Sequence, residues 1–179
     1  FIEFHPSDKD VPYAYYLVGL SYYDQVLAIG RDQELAKEAL KVFALIEKEY
    51  PDSEYASNSQ IRFNFLRDHL ASKEMEVGRY YLKRSHYVPA INRFRGVIEE
   101  FSTTSQVPEA LHRIVEAYLS LGLVNEAQTA GAILGYNYRS TDWYERTFEL
   151  LGSKGLKPKS SGNSWLNQIY RQVVKGQWL

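Results

Sequence analysis

Histidine, carboxylate and arginine are the side chains here that could do chemistry, and their spacing decides how much. The four histidines, His5, His69, His86 and His112, fall in no HExxH pair and no other metal-ligand spacing. The chain has no cysteine, which removes thiolate ligands, cysteine nucleophiles and disulfides. It carries no nucleophile elbow, phosphate-binding loop or dinucleotide-binding glycine motif. Neighbouring carboxylates such as Glu47–Glu49 and Glu99–Glu100 read as solvated helix-face pairs. They have no opposing cleft partner to drive two pKa values apart for acid–base work. No catalytic residue, metal site or cofactor is expected. Recognition is the chemistry that remains.

For recognition, Arg84, Arg93 and Arg95 stand out. A guanidinium pairs bidentately with a carboxylate and is enriched at the energetic centres of interfaces. The competing reading is a solvated arginine paired with Glu99 or Glu100 of its own repeat, which is worth little to stability. Fifteen tyrosines are the second resource. At helical spacing most of them are half-buried packing residues whose hydroxyls reach water. Tyr15, Tyr22 and Tyr81 are the candidates to line a groove. The lysine and asparagine clamp that some helical repeats use for a C-terminal carboxylate is absent, because Tyr16, Leu20, Met75 and Arg79 occupy its positions.

These residues must be positioned by helices. Gly78 and Tyr81 share one helical face, and Ala90, Phe94 and Val97 follow on a second helix after a turn at Arg84 to Tyr87. A small residue facing an aromatic across two antiparallel helices is the packing signature of a 34-residue tetratricopeptide unit. The pattern recurs upstream as Tyr15, Val18, Gly19 and Tyr22 with Ala39, Phe43 and Ile46, where an insertion around Leu27 to Asp32 lengthens the first helix or its loop. It recurs downstream as Leu111, Ile114, Val115 and Tyr118 with Ala127, Gly131 and Leu134. Tyr81 to Tyr118 and Ala90 to Ala127 both span 37 residues, the repeat length plus a short loop extension. The expected architecture is all-α, a tetratricopeptide-like helical-hairpin solenoid over residues 1–152. From about Ser53 to Arg84 one long helix is expected, with a break near His69 to Ser72 as the alternative, and Trp143 to Leu151 should cap the stack. Residues 153–164 (SKGLKPKSSGNS) read as a flexible linker, and 165–179 as an amphipathic C-terminal helix that docks back on the repeats or meets a partner.

Hydrophobic residues make up 45% of the 179 residues, a folding composition. The net charge of −1 offers no global basic field, so nucleic acid is not expected as a partner. The charge is uneven: residues 153–179 carry five cations and no acid. No run of apolar residues is long enough to span a bilayer.

Several stretches resemble a known family, the BamD lipoproteins of the outer-membrane β-barrel assembly machinery. They are Phe1-Ile with Pro6, Tyr16-Leu-Val-Gly-Leu20, Tyr50-Pro-Asp-Ser-Glu-Tyr55, Phe65-Leu-Arg-Asp-His-Leu-Ala71 and Val88-Pro-Ala-Ile-Asn-Arg93. Gly135-Tyr-Asn-Tyr with Trp143-Tyr resembles the α-proteobacterial branch. The resemblance implies a non-enzymatic periplasmic scaffold, TPR-like, that docks on the last POTRA domain of the barrel-forming subunit. Other small assembly lipoproteins and unfolded outer-membrane proteins are further partners it implies. It places the docking arginines at Arg84 and Arg93, with Tyr87 and Asn92 as added neighbours. It also implies attachment to the periplasmic face of the outer membrane through an N-terminal lipid anchor upstream of residue 1. The alternative is a tetratricopeptide adaptor outside this machinery that binds an extended peptide in its concave groove.

Overall fold

The structure, a computed structural model, describes residues 1–29, 33–160 and 164–175. Eight α-helices occupy the described residues, and no strand is found among them. They fall into two compact units, residues 1–70 and 71–179, with the boundary inside one long helix.

In the first unit, α1 (Val11–Ile29) and α2 (Gln33–Glu49) form an antiparallel hairpin, followed by the N-terminal part of α3 (Glu54–Lys83). Pro12 sits in the first turn of α1, where its missing N–H has no helical partner to lose. The insertion expected around Leu27 to Asp32 is absorbed in part by extending α1 to Ile29, and residues 30–32 lie outside the described residues. Ala36, Ala39, Phe43 and Ile46 recur every three or four residues along α2 and are fully buried. Gly19 lies against Phe43 so closely that a Cβ there would come 2.6 Å from the ring. Arg62 of α3 spreads over the rings of Tyr16 and Tyr23, 5.4 and 5.8 Å from their centroids.

Helix α3 runs unbroken for 30 residues, so the single-helix reading of 53–84 holds and the break near His69 does not occur. The second unit takes its C-terminal part together with α4 (Tyr87–Glu100), α5 (Val107–Ser120), α6 (Val124–Asn137), α7 (Asp142–Ser153) and α8 (Trp165–Lys175). Gly78 meets the ring of Phe94 as Gly19 meets Phe43. The glycine-on-phenylalanine register read from sequence is therefore present in both units. The core here runs from Met75 through Phe94, Leu111, Ile114 and Leu134 to Leu151 and Leu166, all of them fully buried.

Three helix ends in this unit, those of α3, α5 and α7, share one solution. After α3, the Ser85 N–H donates to the Leu82 carbonyl at 2.9 Å and the His86 N–H to the Tyr81 carbonyl at 3.0 Å. After α5, Gly122 donates to Leu119 at 3.1 Å and Leu123 to Tyr118 at 2.9 Å. After α7, Gly155 donates to Gly152 at 2.9 Å and Leu156 to Leu151 at 2.9 Å. These are three Schellman caps, each built on a residue in the left-handed region: Ser85 at φ 61°, Gly122 at 74° and Gly155 at 69°. Helix α7 is thus a first helix of the same kind as α3 and α5. It packs on α5 and α6, burying Thr147 and Leu151. Its own start is set by Thr141, whose hydroxyl accepts the Tyr144 N–H at 3.4 Å.

The stretch read as a flexible linker carries definite contacts over its described residues. Leu156 packs on the core, the Lys159 N–H donates to the Gln128 carbonyl at 3.1 Å, and Gln128 Nε2 donates to the Lys157 carbonyl at 2.7 Å. Residues 161–163 lie outside the described residues. Helix α8 packs back on α6, with Leu166 fully buried and Trp165 Nε1 donating to the Tyr118 hydroxyl at 3.0 Å. Residues 176–179 of the expected terminal helix are not among those described.

Candidate functional site

The α3–α4 turn carries two of the nominated residues, Arg84 and Tyr87, three positions apart. Arg84 leaves the end of α3 with its guanidinium 4.4 Å from the Tyr80 ring centroid, and Tyr80 is itself half exposed. This exposed cation–π pair holds the arginine close to the surface without neutralising it. Tyr87 is the first residue of α4. Side-chain hydrogen bonds with Ser85 and Ser120 hold its phenol below the usual tyrosine pKa.

Six residues further along α4, Arg93 lies about 120° around the helix from Tyr87, since each residue turns about 100°. The four nominated residues therefore do not form one face. Asn92 and Arg93 are exposed, whereas Tyr87 turns toward α5. Arg93 Nη1 donates to Glu74 Oε2 at 3.0 Å and Oε1 at 3.4 Å, which ties α4 back to α3. Its side chain keeps 45% of its surface in solvent and Glu74 keeps 21%. Both bonds use Nη1, so the Nη2 and Nε donors of the fork are left for a partner. The intra-repeat pairing considered for these arginines belongs to Arg95 instead. Arg95 donates to Glu99 at 2.8 Å and lies 4.8 Å over the Trp165 ring. Glu74 was not a candidate from sequence, because a partner 19 residues away across a hairpin leaves no periodic trace.

The groove tyrosines are all half-buried. Tyr15 faces Tyr50 with ring centroids 6.1 Å apart, and Tyr22 lies in the same unit. Tyr81, in the other unit, meets Tyr80 and His86 edge-on and packs against the core.

A second polar cluster joins α5 to α7, and sequence reasoning missed it. The Trp143 ring lies between Arg113 and Arg146, 5.3 and 5.0 Å from its centroid, with the His112 ring at 5.3 Å. His112 is buried, with Nδ1 2.8 Å from the Thr147 hydroxyl and Nε2 3.6 Å from Glu116. Arg113 pairs with Glu116 at 2.9 Å and Glu109 at 3.2 Å, and Glu109 also holds Arg79 at 2.9 Å. Burial opposes the charge on Glu116, but hydrogen bonds from His112 and Arg113 outweigh it and hold the carboxyl below its ordinary pKa. Burial likewise disfavours the charged form of Arg113, and its two glutamate partners more than offset that. The only sequence signal was Trp143 itself, a large amphipathic side chain near a helix start.

Among the described residues no group of histidines and carboxylates could hold a metal ion, and no helix is long and apolar enough to cross a membrane. A family model described as "Outer membrane lipoprotein", YfiO, matches residues 1–133. The chain is 42% identical over 158 residues to an outer membrane protein assembly factor BamD of Caulobacter vibrioides, which covers 88% of this chain and 52% of that protein. A BamD of Rickettsia prowazekii is 41% identical, covering 84% of this chain and 60% of that protein. One of Neisseria meningitidis is 32% identical, covering 77% and 55%. The chain spans about half the length of the curated relatives it matches.

Proposed function

The chain belongs to the YfiO family of outer membrane lipoproteins, and from that premise we propose that it is a non-catalytic scaffold of outer-membrane β-barrel protein assembly. The assembly role of its relatives supports this reading. In it, the chain docks on the POTRA region of the barrel-forming subunit and meets other small assembly lipoproteins of the same complex. It works at the periplasmic face of the outer membrane, held there by a lipid anchor in the full-length protein. Unfolded outer-membrane proteins are further clients of the whole assembly.

The observation that carries the docking site is the state of Arg93. Glu74 fixes its direction, the side chain stays 45% exposed, and part of its donor fork is unused. A pre-aimed guanidinium of this kind loses little rotamer entropy when a partner carboxylate arrives. Arg84, held on Tyr80, and exposed Asn92 extend the surface, while Tyr87 turns away from it toward α5. The test is binding of the chain to the cognate POTRA array, with Arg93→Glu as the paired variant and far-ultraviolet circular dichroism to verify the fold.

A further inference from the structure

A cleft of about 420 Å³ opens between α3, the start of α4 and α5, lined by Arg79, Leu82, Lys83, Tyr87, Arg113, Glu116 and Ser120. Its chemistry is specific. Arg79 and Arg113 are both committed to Glu109, and Arg113 also to Glu116. Lys83 is exposed in the last turn of α3 and, among the described residues, has no acidic partner. Counting Glu109 behind the wall, three cations face two carboxylates, so the cleft keeps one positive charge. The hydrogen bonds of Tyr87 with Ser85 and Ser120 set the phenol in place at one end. Leu82 supplies apolar surface on which an aliphatic stem can lie.

We infer that this cleft is a docking site for an acidic, extended protein segment, one of whose carboxylates pairs with Lys83 and is steered by Arg79 and Arg113. Charge complementarity selects the occupant: a glutamate stem covers Leu82 while its carboxylate meets the unpaired ammonium. The volume admits one or two side chains, and the net charge of −1 on the whole chain gives no extended basic track for nucleic acid. The cleft is lined by neither Arg93 nor Glu74, so its assignment stands whether or not the docking surface is where Arg93 lies.

The experiment is fluorescence anisotropy with a labelled hexaglutamate peptide and a hexaglutamine control, on the parent chain and on Lys83→Glu, Lys83→Arg and Arg93→Glu variants. Lys83 is exposed, so its substitution leaves the fold intact, as circular dichroism verifies. The parent and Lys83→Arg bind hexaglutamate but not hexaglutamine, with an affinity that falls as salt rises. Lys83→Glu weakens binding at least fivefold, and Arg93→Glu leaves it unchanged. Loss of binding in Arg93→Glu with none in Lys83→Glu overturns the assignment. So does equal binding of both peptides, or no binding of hexaglutamate by the parent. Failure of the POTRA experiment with success here would sink the docking surface and leave this site standing.

Discussion

Gly78 offers the sharpest test of the packing on which the site rests. A Cβ built there would run into the Phe94 ring, at 2.8 and 2.9 Å from Cδ1 and Cζ as well as against Cε1. Gly96, in the middle of α4, has no heavy atom within 4 Å of the same construction. Replacing a helical glycine by alanine gains about 1 kcal/mol from backbone propensity alone. Gly96→Ala should show that gain. At Gly78 the added methyl must push Phe94, which is fully buried, and overpacking of that kind costs about 1–3 kcal/mol. The sum for Gly78→Ala is a loss of about 0–2 kcal/mol, so the two variants should differ by roughly 1–3 kcal/mol. Urea unfolding followed by helical circular dichroism reads this directly. Adding Phe94→Leu to Gly78→Ala should recover part of the loss, because the smaller side chain makes room for the methyl. Equal stabilisation by Gly78→Ala and Gly96→Ala would refute the close approach of α3 to α4, and with it the register that aims Arg93 at Glu74.

Two further outcomes follow from local geometry. Ser85 holds φ 61° in a position that favours glycine, at a cost of about 1–2 kcal/mol, whereas glycine loses about 0.5–1 kcal/mol of chain entropy. Ser85→Gly should therefore stabilise the chain, by up to about 1.5 kcal/mol. By removing a hydroxyl partner it should also move the Tyr87 phenol up toward its ordinary value in an ultraviolet titration. The Glu116 carboxyl is depressed in the folded state, so its contribution to stability is present above the ordinary value of 4.5 and is lost as pH falls through the lower folded value. Glu116→Gln should remove that portion of the acid sensitivity, and unfolding midpoints measured from neutral pH down to about pH 3 show whether the two proteins converge.

The fold was legible because its determinants are local and repeated. Gly78 against Phe94 and Gly19 against Phe43 each follow from a small residue and an aromatic at fixed offsets, and the single long helix expected from about Ser53 to Arg84 is α3. What escaped was set by tertiary context. Gly155 and Ser160 read as part of a flexible linker by composition, but composition does not show that Gly155 caps α7 or that Lys159 is bonded to Gln128 of α6, a contact that needs the α6 surface in place. Arg93 could be singled out, but its partner Glu74 could not, and the same holds for Trp143 between Arg113 and Arg146. Unlike the glycine–phenylalanine approach, these polar contacts between helices leave no fixed offset in the sequence.

The most direct test of the scaffold reading is calorimetric binding of the chain to the cognate POTRA array, for the parent and for Arg93→Glu. Both members of the Arg93–Glu74 pair are partly exposed, so the substitution should change folding stability by only about 1 kcal/mol. Binding should fall much further. Reversing a charge that faces a desolvated carboxylate costs about 2–5 kcal/mol, a loss in affinity of about thirtyfold or more. Equal binding by both proteins, or no binding by the parent, would contradict the account.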